Sequence, residues 1–96
     1  MDDSAVWKSL LDNWPAGLAR TGVVVSTFNE QIPFDGFMHT AAFMMVERKT
    51  PDTLGARKII IPFSGIAAIK FVEVIGSQAF APWGFVGAPA GKKAPG

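Results

Sequence analysis

The sequence predicts a mainly β fold: an N-terminal helix followed by a five-stranded, strongly bent small barrel. Three observations carry this. One stretch at the start has helical apolar spacing. Several β-branched segments follow, joined by short Gly, Pro and Asp connections with no helical crossover between them, which argues against a doubly wound sheet. A β-chain of 96 residues is also too short to leave sheet edges open at no cost, and closure is the usual way to hide them.

The helix is read over Ser4 to Trp14. Ser4 is placed as its N-cap, and Asp2 and Asp3 lie near the positive end of the helix dipole. Val6, Trp7, Leu10, Leu11 and Trp14 form one apolar stripe, and Pro15 and Gly17 end it. A helix this short is marginal alone in water, so its tryptophans are expected to pack on the sheet. Gly22 to Phe28 is β-branched and reads as the first strand. Asn29 to Pro33 reads as a turn. Phe34 to Lys49 carries apolar residues at odd and even positions alike, which suggests one long bent strand buried on both faces.

Lys49 to Ala56 holds Pro, Asp and Gly and reads as an exposed loop. Arg57 to Phe63 is the next strand, with Pro62 expected at its end because proline cannot donate to a ladder. Ser64 and Gly65 make a tight connection, and Ile66 to Val74 is the last strand. The helix and barrel thus occupy residues 1–75. Residues 76–96 form a Gly/Ala/Pro-rich extension in which "FAPWGF" has aromatics able to dock, while the last ten residues are expected to be disordered.

Composition narrows the function classes. Hydrophobic residues make up 49% of the chain and charged residues 18%, against about 25% charged in a typical soluble protein. A single small domain cannot bury that much apolar surface, so a homo-oligomer or a protein partner is expected. A net charge of +1 gives no general attraction to nucleic acid. The absence of cysteine excludes thiolate catalysis, disulfides and cysteine metal sites. No charged-then-apolar leader opens the chain. The charge-free run from Ile59 to Ile69 is too short and too interrupted to span a bilayer. A soluble, cytoplasmic, non-membrane protein with no cofactor and no metal site is therefore expected.

The catalytic inventory is thin. No glycine-rich phosphate loop and no paired-carboxylate motif is present. His39 and Asp35 are the nearest approach to a base and its orienting group, and no nucleophile is marked beside them. Non-enzymatic binding is the expectation. Arg48, Lys49, Arg57 and Lys58 flank the exposed loop and form the one local basic patch.

The segment Phe34-Asp35-Gly36-Phe37-Met38-His39, the acidic strand end at Val46-Glu47 and the hydrophobic frame of "IIIPFSGIAAIKF" together resemble the Sm-like (Sm/LSm/Hfq) family. The similarity covers roughly Val6 to Val74. It implies an N-terminal helix, a five-stranded Sm-like/SH3-like barrel and ring assembly through neighbouring edge strands. It also implies a nucleobase site for single-stranded RNA in which Phe37 stacks, His39 hydrogen-bonds, Ser64 and Gly65 form the second loop, and Asp35 orients that loop. His39 stands where the family has Asn, and Phe63-Ser64-Gly65 replaces its basic turn. An oligomerising scaffold or protein-interaction module is therefore the first expectation, with RNA binding as its alternative.

Overall fold

A computed structural model describes residues 4–87, so Asp2, Asp3 and most of the expected disordered tail lie outside the described residues. The chain is mainly β with an N-terminal helix: α1 (Ser4–Asp12) precedes six strands. These are β1 (Thr21–Ser26), β2 (Gln31–Asp35), β3 (Phe37–His39), β4 (Phe43–Glu47), β5 (Lys58–Pro62) and β6 (Ile66–Lys70). They pair antiparallel as two three-stranded sheets, ordered β2-β1-β6 and β3-β4-β5. Six strands stand where five were expected, because the stretch from Phe34 to Lys49 is broken twice, at Gly36 and at the turn between His39 and Phe43.

Gly36 passes the chain from one sheet to the other. Its N–H donates to the Arg20 carbonyl at 2.7 Å, beside the first sheet, and its carbonyl accepts from the Glu47 N–H at 2.9 Å in the second. Its φ of 114° is a conformation that glycine adopts without a Cβ penalty. The break also shifts the inward parity of the side chains. Ile32 and Phe34 point inward from β2, whereas Phe37 does so from β3. That shift explains why apolar residues fall at both odd and even positions there.

Two expectations for this region are corrected. Phe34 to Lys49 is not one bent strand but the end of β2, then a β3–β4 hairpin. Its turn is closed by the Thr40 hydroxyl, which accepts from the Ala42 and Phe43 N–H groups at 3.1 and 2.9 Å. Asn29 to Pro33 is not wholly a turn, since Gln31, Ile32 and Pro33 belong to β2. Pro33 is tolerated because β2 is an edge strand of its sheet and the proline side chain is exposed.

The helix ends at Asp12, two residues before Trp14. Pro62 stands at the end of β5 as expected, and Phe63–Gly65 forms a 3₁₀ turn into β6. β6 stops at Lys70, short of Val74. A second 3₁₀ segment, Ser77–Trp83, follows.

Leu11, Val24, Ile32, Phe34, Phe37, Met44, Val46, Ile61, Phe63 and Ile66 form one core drawn from α1 and both sheets. Ser26 is buried among them. Its hydroxyl accepts from the Glu30 N–H at 3.0 Å, which satisfies the buried group.

Candidate functional site

The residues expected to read a base do not come together within one chain. Asp35 pairs with Thr21 at one end of β1, while Ile66, which follows Ser64 and Gly65, pairs with Ser26 at the other end. The length of β1 therefore separates Asp35 from the loop it was expected to orient. Phe37 is 5% exposed. The Arg20 guanidinium carbon sits 3.7 Å from its ring centroid, and the Trp14 ring meets it edge-on at 4.8 Å. The ring is thus enclosed by Arg20 and Trp14 within its own chain. Ser64 is exposed, whereas Gly65 is buried and its carbonyl accepts from the Thr27 N–H at 2.9 Å.

His39 pairs with neither Asp35 nor a backbone group. Its Nε2 lies 2.6 Å from Asp12 Oδ1 on α1, and Lys8 Nζ lies 2.6 Å from the other oxygen of the same carboxylate. The hydrogen bond from Lys8, followed by that from His39, holds the Asp12 carboxyl below its usual range. This trio clasps the end of α1 to β3. Its three members lie on two elements and up to 31 residues apart in sequence, and the Lys8–Asp12 spacing was the single part legible beforehand.

The basic residues do gather. The Arg48 N–H donates to the Arg57 carbonyl at 2.7 Å, closing the base of the β4–β5 loop. Arg48 Nε also donates to the Thr50 carbonyl at 3.0 Å, and Lys58 reaches Glu47 at 3.3 Å. Lys49 and Arg57 are exposed. Asp52 orders the loop tip by accepting from the Ala56 and Leu54 N–H groups, each at 2.8 Å. Those bonds, that of Ala56 foremost, lower its pKa.

Two apolar surfaces remain. On the outer face of the second sheet, Met38, Met45 and Ile60 stand in register across three strands. Met38 is 59% and Ile60 66% exposed. Phe43 and Pro62, also paired, extend the row.

The second surface is a groove of about 870 Å³ between α1, the end of β6 and the second 3₁₀ segment. Trp7, Leu10, Ile69, Phe71, Phe80 and Trp83 line it. The Trp83 indole N–H donates to the Leu10 carbonyl at 2.9 Å, so the "FAPWGF" segment docks on its own chain. In this layer Phe80 stacks on Trp83 at 5.9 Å, and Trp83 meets Trp14 edge-on at 5.1 Å. Sequence reasoning did not foresee the groove. Its signal was the placing of tryptophan and phenylalanine at both ends of the chain.

Among the described residues no cluster of His, Asp and Glu gathers as a metal site. No described helix is long and apolar enough to cross a membrane. No family model, curated protein or solved structure matches this chain.

Proposed function

We propose that this chain is a non-enzymatic protein-interaction module of the cytoplasm, a bent barrel of the Sm-like type that self-assembles through sheet edges. Counting β2 and β3 as one strand bent at Gly36, the pairing runs β6-β1-β2/β3-β4-β5, a four-stranded meander with the last strand returned beside the first. β5 and β6 end their sheets and leave a row of unpaired backbone groups, a template for another chain.

The observation that carries the reading is the exposed Met38-Met45-Ile60 row next to the free edge of β5. Apolar side chains aligned across a whole sheet mark a partner surface. Pairing β5 of one copy with β6 of the next extends both sheets and covers part of this row.

The test is the mass of the native assembly. A multiple of the 10.3 kDa chain is expected, falling to a single chain in Ile60→Lys with unchanged circular dichroism. A wild-type protein that stays a single chain at micromolar concentration refutes the reading.

RNA binding is the second reading, favoured by the gathering of Arg48, Lys49, Arg57 and Lys58 at one hairpin base. It requires salt-dependent retention of single-stranded RNA, lost in the double variant Lys49→Glu, Arg57→Glu. An ultraviolet spectrum of pure protein, with no filter retention at low salt, removes it.

A further inference from the structure

A cavity of about 450 Å³ opens where the start of β1 and the end of β2 meet the segments that follow β4 and β6. Four charged side chains line it, two of each sign. Arg48 and Lys49 come from the segment after β4, Asp35 from the end of β2 and Glu73 from the segment after β6. None of the four forms an ion pair among the described residues, so opposite charges face one cavity without closing on each other. Arg48 uses its Nε on the Thr50 carbonyl, which leaves the terminal guanidinium nitrogens without a partner among the described residues. Apolar groups share the lining, including the half-buried Phe71 and Ile75.

The backbone of β1 adds a donor and an acceptor. The Gly36 N–H bonds the Arg20 carbonyl, which makes Thr21 and Asp35 a non-hydrogen-bonded pair of the antiparallel ladder. The Thr21 N–H and carbonyl therefore point away from β2, toward the side on which β6 pairs with β1. β6 ends at Lys70, opposite Val23. Beyond that point the chain makes no backbone bond to Thr21 among the described residues. Thr21 lines the cavity together with Phe71, Val72 and Glu73. One strand residue there offers its N–H and C=O side by side, as it would to a neighbouring strand.

A phosphate backbone would bring only negative charge, which Asp35 and Glu73 repel. A purely apolar ligand would leave all four charges unused. A ligand that carries both charges close together, with an apolar group attached, satisfies every feature. We propose that this cavity binds a free α-amino acid with an apolar side chain. Its carboxylate is held by Arg48, Lys49 and the Thr21 N–H, and its ammonium group by Asp35, Glu73 and the Thr21 carbonyl. The two bonds to Thr21 are those that a residue on an adjacent strand makes, and the ligand's side chain lies against Phe71 and Ile75. The volume falls within the roughly 300–1,000 Å³ usual for small-ligand pockets. This goes beyond the proposed self-assembly and does not depend on it, because no residue of the Met38-Met45-Ile60 row lines the cavity.

The experiment titrates L-phenylalanine into the full, isotope-labelled chain at one protein concentration and follows the backbone amide resonances. The Thr21 and Gly22 resonances are expected to shift saturably. N-acetyl-L-phenylalanine and L-phenylalaninamide, each lacking one charge, are expected to bind several-fold more weakly. Lys49 and Glu73 are exposed and bond nothing among the described residues, so Lys49→Gln and Glu73→Gln leave the fold intact. Glu73→Gln is expected to weaken L-phenylalanine by roughly fivefold, the scale of one exposed ion pair, without weakening the N-acetyl compound. Lys49→Gln is expected to weaken L-phenylalanine likewise without weakening the amide. A merely structural effect would lower the binding of all three compounds alike, and that result overturns the proposal. The absence of a saturable shift through the millimolar range also overturns it. Equal binding of the three compounds to wild type overturns it in favour of an apolar pocket. Uridine monophosphate that moves the same resonances, more strongly in Glu73→Gln, overturns it in favour of a phosphate site.

Discussion

Replacing Gly36 with alanine isolates the conformational demand of the strand break. Gly36 is held on both sides: Asp35 is registered against Thr21 in one sheet and Phe37 against Val46 in the other. Its own N–H and carbonyl are bonded to Arg20 and Glu47, so the backbone cannot relax without breaking a ladder. A Cβ at Gly36 would meet nothing closer than Glu47 Oε2 at 3.8 Å. Steric crowding therefore adds nothing, and the cost is that of a φ of 114°, roughly 1–3 kcal/mol for a non-glycine residue in such a region. A domain of this size is stable by roughly 5–14 kcal/mol, so the loss is a large fraction. It corresponds to a fall in Tm of roughly 4–24 °C, at about 4–8 °C per kcal/mol for small domains. The assay is thermal and urea unfolding followed by circular dichroism at one fixed protein concentration, since assembly would otherwise shift Tm. The control is Gly76→Ala. Gly76 has a φ of −63° and open space around it, so alanine is expected to be neutral or slightly stabilising there. A Gly36→Ala Tm within about 2 °C of wild type, or equal effects at both glycines, refutes the reasoning.

Three further outcomes are expected. Phe63 is fully buried at the meeting of α1 and both sheets, so Phe63→Ala should cost about 3–5 kcal/mol, read as a fall in the urea midpoint with little change in m-value. Thr40→Ala removes the acceptor of two turn N–H groups and should cost about 1 kcal/mol, measurable in the same titration. Lys8 and His39 hold the folded Asp12 carboxyl below its ordinary pKa. Its contribution is therefore present above that value and lost as pH falls through the folded pKa. The Tm gap between wild type and Asp12→Asn should be open near neutral pH and close as pH falls through the folded pKa, and a gap that persists once the carboxyl is protonated contradicts the assignment.

How far the sequence could be read depended on how local each signal was. The helix stripe from Val6 to Leu11, the stop at Pro15, the exposed loop after Lys49 and the strand end at Pro62 are each set within a few residues, and each was legible. β2 was hidden because Pro33 and Asn29 are turn residues by propensity. What overrides them is the burial of Ile32 and Phe34, together with an edge position that asks no N–H of the proline. The Phe34–Lys49 stretch was misread because parity resets at Gly36, and a period-two pattern cannot be followed through a phase shift. The enclosure of Phe37 was hidden for a different reason. Burial of that ring depends on Trp14 and Arg20, 23 and 17 residues away in sequence. The Asp12–His39 clasp and the docking of Trp83 on Leu10 are likewise tertiary, at separations of 27 and 73 residues.

The division into two sheets also sets an order of events when the chain folds. All of β3, β4 and β5 lies within residues 37–62, so that sheet closes only short loops. The other sheet pairs Val23 with Lys70, and the aromatic layer waits for Trp83 to reach Leu10. Loop closure costs more entropy as the intervening chain lengthens, and non-local pairing is slow for that reason. On a ribosome, β1 emerges early yet stays exposed along one edge until β6 follows. The β1–β2 hairpin and the β3–β5 sheet close only short loops, so by loop-closure entropy the β1–β6 seam is expected to close after them.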